Sequence, residues 1–163
     1  YPNYSGMAFD RDHSGYGGFT SGQILNNLTT WLNTSGTPDI VLLSSPGGND
    51  ALQNLPYNNA IANINAIIDL LQERNPNVTI IIEQLAPGRS DIMTPTLTNY
   101  IKQMQEEVVN IASSQTTANS MVLTVDMFTG FTDALLADNV HYNEAGAEFI
   151  ASRYYSVLLS ILQ

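Results

Sequence analysis

The sequence has no cysteine, only two histidines, and five lysines and arginines against fifteen aspartates and glutamates. Without cysteine, disulfides give no clue to compartment, and two histidines offer little for a zinc site. No metal or organic cofactor is implied. The net charge of −10 repels phosphate backbones, which excludes nucleic acid as a partner and suits a neutral substrate better than an anionic one. No phosphate-loop pattern occurs. No apolar run approaches the roughly eighteen residues needed to span a bilayer, so no membrane partner is expected. Repeats and low-complexity tracts are also missing.

What is present is a globular composition, 44% apolar and only 12% charged over 163 residues. That is enough chain for a single domain, residues 1–163, with a core of its own. Four N-x-Ser/Thr sequons begin at Asn3, Asn27, Asn33 and Asn77, and with the Asn-rich composition they point to a secreted glycoprotein. The chain starts abruptly at Tyr1, as a processed or truncated product would.

Periodicity orders the chain. Residues 1–19, rich in Gly, Tyr, Ser and Asp, read as a loop. Ile24, Leu25, Leu28, Trp31 and Leu32 form a helical stripe over 20–32. Residues 39–44 are a short apolar run, as expected of a strand buried on both faces, and Ser45-Pro-Gly-Gly-Asn-Asp50 breaks it. A second helix is predicted over 58–74, a strand over 78–83, a helix over 95–114, a strand over 121–126 and a last helix over 143–162. A helix followed by three strand–helix units predicts an α/β fold with a parallel sheet between helix layers and right-handed crossovers. The site in such a sheet lies beyond the carboxyl ends of the strands. Residues 45–50, 85–91 and 126–141 fall there.

Three local patterns carry possible chemistry. Asp138-Asn-Val-His141 sets a carboxylate three residues from an imidazole, close enough in a non-helical turn to fix its tautomer. Taken alone, a turn-capping aspartate beside an unrelated histidine is the more frequent explanation of such a pair. Gly47-Gly-Asn-Asp50 follows a strand directly, so Asn49 can offer an amide to a developing oxyanion. The plainer reading is a Gly-Asn turn with a helix cap at Asp50. The loop Asp12–Thr20 runs into a helix, and the Gly18 N–H can serve as a second oxyanion donor. Read plainly, it is a flexible loop capped by Thr20 or Ser21. His13 reads as a surface or loop-bracing residue. Glu106 and Glu107 read as a solvated helix face, not as paired glycosidase acids.

The order of these patterns resembles the SGNH (GDSL-like) hydrolases, and more narrowly carbohydrate esterase family 3, the acetyl xylan esterases. The matching stretches are FDRDHSGYGGFTSGQI, PDIVLLSSPGGNDAL, NPNVTIIIEQLAP and DNVHYNEAG, which together run through most of the chain. The resemblance implies a flavodoxin-like three-layer α/β/α fold. It also implies a serine esterase in which Gly18 and Asn49 supply the oxyanion hole, His141 is the base and Asp138 orients it. Expected substrates are a small neutral ester or an acetylated polysaccharide.

The family's G-D-S-x-T-like nucleophile block has no counterpart here. Ser5, Ser14, Ser44 and Ser45 lie in the wrong context. A strand–helix–strand unit of about 30 residues or more is therefore expected outside the sequence, either as the protein's own N-terminal fragment held as a partner or replaced by a strand from another chain. Without it, residues 39–44 would form a bare apolar edge. Two alternatives stand beside the esterase. One is a non-catalytic carbohydrate-binding relative. The other is a lysophospholipase or thioesterase of the same superfamily.

Overall fold

Three short runs of β-branched and aliphatic residues become strands, and the helical stripes fold back over them. The computed structural model describes residue 6 and residues 13–162. The elements are α1 (Ser21–Ser35), β1 (Ile40–Leu43), α2 (Gly48–Leu52), α3 (Tyr57–Arg74), β2 (Thr79–Gln84), α4 (Pro95–Gln115), β3 (Val122–Asp126), a 3₁₀ turn (Asp133–Leu135) and α5 (Glu144–Ile161). The strands are all parallel, in the order β1-β2-β3, with Ile40 opposite Thr79 and Ile80 opposite Val122. The predicted helices and strands all appear, within a few residues at each end. Two short elements were not foreseen. They are α2, inside the stretch read as a chain break, and the 3₁₀ turn. Both are too short to show a period.

Helix starts follow their caps. Thr20 opens α1 with a reciprocal box, its side chain accepting from the Gln23 N–H while the Gln23 side chain accepts from the Thr20 N–H. Thr94 caps α4 just ahead of Pro95, and Asn143 caps α5 by accepting from the Gly146 N–H at 3.0 Å.

Side chains alternate across the central strand and feed two cores. Ile80 and Ile82 face a large core built with Ile64, Ile68, Met104 and Val108 from α3 and α4, and α1 lies over α3. Ile81 faces a much smaller one with Val125, Met127 and Tyr154 of α5. The three consecutive isoleucines are fully buried, each stabilising by about 1.5–3 kcal/mol through burial.

The sheet is open. Among the described residues β1 pairs only with β2, and Leu42 at this edge is 45% exposed. The expectation of a strand buried on both faces is met by β2, whose inner four residues are buried, and not by β1.

Candidate active site

At the carboxyl ends of the strands lies a cavity of about 270 Å³. Gly18, Asn49 and His141 all line it, with Ser45, Leu85 and Tyr142 among the residues between them. The three groups come from the loop before α1, from α2, and from the loop before α5.

The histidine side is a local construction. Leu136 and Tyr142 pair as an antiparallel bridge, and the Ala137 N–H donates to the His141 carbonyl at 2.7 Å, closing residues 137–141 into a small loop. Inside it, Asp138 Oδ1 accepts from the N–H of Val140 at 2.9 Å and of His141 at 2.8 Å. Its Oδ2 lies 2.8 Å from His141 Nδ1. These bonds hold the Asp138 carboxyl down at about 2; the Val140 N–H acts most strongly, then the His141 N–H, then the imidazole. Asp138 is therefore ionised at neutral pH and fixes which ring nitrogen carries a proton. Neither side chain is buried.

Two neighbours brace that loop. The Arg89 N–H donates to the Asn139 carbonyl at 2.8 Å, and Asp133 accepts from both the N–H and the hydroxyl of Ser90. Gly146 sits so tightly on the Leu135 carbonyl that a Cβ there would overlap it. The glycine of the DNVHYNEAG stretch thus permits α5 to start directly behind the loop.

The glycine–asparagine side is assembled over long range. The chain leaves β1, turns through Ser45 (φ 48°) and Gly47 (φ 73°), and enters α2. A Cβ on Gly47 would meet the Met104 methyl and one on Gly48 the Ser45 hydroxyl, and the positive φ of Gly47 favours glycine there whatever the space. Asn49 Nδ2 donates to the Phe19 carbonyl at 2.8 Å, and Gln53 Nε2 donates to the Gly18 carbonyl at 3.1 Å. The glycine-rich loop is thereby tied to α2, and among the described residues the second N–H of the Asn49 amide makes no hydrogen bond.

Asp50 corrects one expectation. It is not a helix cap; Gly47 occupies that position and Asp50 lies inside α2. Its carboxyl, 2% exposed, accepts from the Ser21 N–H at 2.8 Å and the Ser21 hydroxyl at 2.7 Å. Asn63 Nδ2 donates to the same hydroxyl at 3.0 Å. Asp50 is thus a buried pin between α1 and α2 that sets Gly18 beside Asn49. Sequence reading missed it because its partner is 29 residues away.

The remaining sequence candidates are quickly placed. His13 Nδ1 accepts from the Gly15 N–H at 3.0 Å, which makes it a loop brace. Ser14 is exposed on that loop, and Ser44 and Ser45 line the cavity. Ser5, Asp12 and Asn3 lie outside the described residues. Glu83, also missed, is buried beneath the cavity.

Residues 1–149 match the GDSL-like Lipase/Acylhydrolase family. The chain belongs to that family. Solved structures agree with the assignment. A carbohydrate esterase of family 3 from Talaromyces cellulolyticus is 28% identical, with a TM-score of 0.83 over 94% of this chain and 72% of its own. A family 3 carbohydrate esterase of Clostridium thermocellum is 31% identical, with a TM-score of 0.76 over 94% of this chain and 71% of its own. An acetyl xylan esterase at 19% identity and TM-score 0.72, covering 88% of this chain and 78% of its own, shares the fold. No curated protein matches. This GDSL-family chain accordingly has the α/β SGNH hydrolase fold, with the sheet open at β1 and the relatives longer than the 163 residues given.

Proposed function

We propose that the protein is a serine-type carboxylic ester hydrolase that deacetylates a carbohydrate such as acetylated xylan, with the nucleophilic serine contributed from outside residues 1–163. One observation carries the reading. Gly18, Asn49 and His141 meet at one cavity at the carboxyl end of the sheet, and His141 Nδ1 is already bonded to an ionised Asp138. The likeness to family 3 carbohydrate esterases supports the choice of an acetylated sugar. So does the cavity wall, where among the described residues no lysine, arginine, aspartate or glutamate is found. A neutral ester meets no charge there that it must desolvate.

In this reading the serine hydroxyl attacks the ester carbonyl while His141 Nε2 takes its proton, and Asp138 stabilises the imidazolium through Nδ1. The carbonyl oxygen becomes an oxyanion held by the Gly18 N–H, the free Asn49 amide N–H and the serine's own N–H. Collapse of the tetrahedral intermediate breaks the C–O bond to the sugar, whose oxygen takes the proton from His141. Water then repeats the sequence on the acyl-enzyme, releasing acetate.

The test uses the complete protein, with its N-terminal segment, against p-nitrophenyl acetate and acetylated xylan. A fluorophosphonate should label a serine in that segment, and acetate release should vanish in His141→Ala. Binding of xylan oligomers with neither label nor acetate release would instead identify a carbohydrate-binding protein. A preference for long acyl chains would move it to the lysophospholipase or thioesterase class. Secretion belongs to the same proposal: Asn27, Asn33 and Asn77 are exposed, and intact mass of material from a glycosylating host would reveal attached glycan.

A further inference from the structure

Glu83 has no part in the chemistry just described. It is the penultimate residue of β2 and is 1% exposed, on the thin side of the sheet near Tyr154. Among the described residues it has no cationic partner. A carboxyl there is costly unless its oxygens are satisfied. They are satisfied by one group from the corner between β1 and α2, at the cavity wall, and one from the buried face of α5. Oε2 accepts from the Ser45 N–H at 2.7 Å, and Oε1 accepts from the Tyr154 hydroxyl at 2.8 Å. The Ser44 side chain is a further hydrogen-bonding neighbour.

What those two groups belong to gives the carboxyl its significance. Ser45 is the non-glycine residue held in the left-handed region where the chain turns out of β1, a conformation that costs about 1–2 kcal/mol and needs outside support. The Ser45 carbonyl accepts from the Gly48 N–H at 3.1 Å, and Asn49 is the next residue. Tyr154 is on α5, whose cap Asn143 follows His141 by two residues. The carboxyl therefore joins the corner that presents Asn49 to the helix that continues from His141. An apolar side chain of similar size would fill the space but make neither bond.

We propose that Glu83 is a positioning residue of the site, a buried strut that sets the spacing between the Asn49 loop and the His141 side without touching substrate. In its catalytic part this rests on the esterase reading. Misplacing either side by a fraction of an ångström would lower turnover more than substrate binding.

The experiment compares the complete wild-type protein with Glu83→Gln and Tyr154→Phe. In Glu83→Gln, kcat on p-nitrophenyl acetate should fall about 10-fold or more with KM within about twofold. The Ser45 amide proton should move upfield as its charge-assisted bond is lost, and the Asn49 side-chain amide and His141 ring resonances should shift with it. Tyr154→Phe should give a smaller change of the same kind. Lowered melting temperature with unchanged kcat and unchanged Asn49 and His141 resonances would overturn the proposal. If Glu83→Gln does not fold, Tyr154→Phe decides by the same readouts. If the wild type hydrolyses no ester, the esterase reading fails separately, and unmoved Asn49 and His141 resonances in either variant would overturn the strut.

Discussion

The two sides of the cleft are built in opposite ways. On the histidine side, the imidazole and its carboxylate are three residues apart, share one closed loop and are both exposed. On the glycine–asparagine side, the groups come from separate elements and are held by a buried carboxyl whose partner lies 29 residues away. One side depends on a turn; the other depends on buried hydrogen bonds between Asp50 of α2 and Ser21 of α1. Damage to the first should remove chemistry and leave the fold, whereas damage to the second should affect both.

The largest effect separates them most clearly. His141→Ala in the complete protein should lower kcat/KM on p-nitrophenyl acetate by about 10³–10⁴-fold with the urea midpoint unchanged. A shifted midpoint would mean that the loop is not independent. Asn49→Ala removes the proposed oxyanion donor and leaves the Phe19 carbonyl without its bond; kcat should fall about 10²-fold, with a small loss of stability. Equal kcat in mutant and wild type would take Asn49 out of the chemistry.

Asp50→Ala should act through the fold. It strands the buried Ser21 N–H and hydroxyl, and unfolding free energy should drop by about 2–3 kcal/mol. Activity should fall too, because Gly18 is no longer pinned beside Asn49. Undiminished stability in urea titrations would contradict the pin.

The smallest effect lies in two carboxyls that titrate in opposite directions. Backbone N–H bonds depress Asp138 to about 2, so its stabilising contribution is present above its usual 3.8 and is lost as pH falls from there toward 2. Burial raises Glu83 above its usual 4.5, so its contribution is present below 4.5 and fades as pH rises through the elevated value. Carboxyl carbon shifts across a pH series would expose both, and two parallel curves would contradict this contrast.

The same division explains what could be read in advance. The Asp138–His141 pair was visible because everything that forms it lies within four residues. The large core was visible because α3 and α4 carry clean helical stripes and β2 contains three consecutive isoleucines, Ile80, Ile81 and Ile82. Asp50 and Glu83 were not visible. Asp50 stands in a pattern that was singled out but was read as a helix cap, Glu83 lies near the end of an otherwise ordinary strand, and the meaning of each lies in a partner on another element. The exposure of Leu42 was anticipated only through the family resemblance, since the run Ile40–Leu43 by itself predicts burial on both faces.

By itself the sequence determined the order of the three strands and the four long helices, the parallel sheet, a cap at Thr20 and the Asp138–His141 pairing, because periodicity, caps and short-range turns are properties of neighbouring residues. Only the tertiary structure decided that Gly18 stands beside Asn49, that Asp50 is a pin and that Glu83 bonds both the Ser45 corner and Tyr154 of α5. Those depend on buried hydrogen bonds between distant segments. Such bonds are satisfied or orphaned according to how helices and strands pack, and no spacing along the chain encodes that.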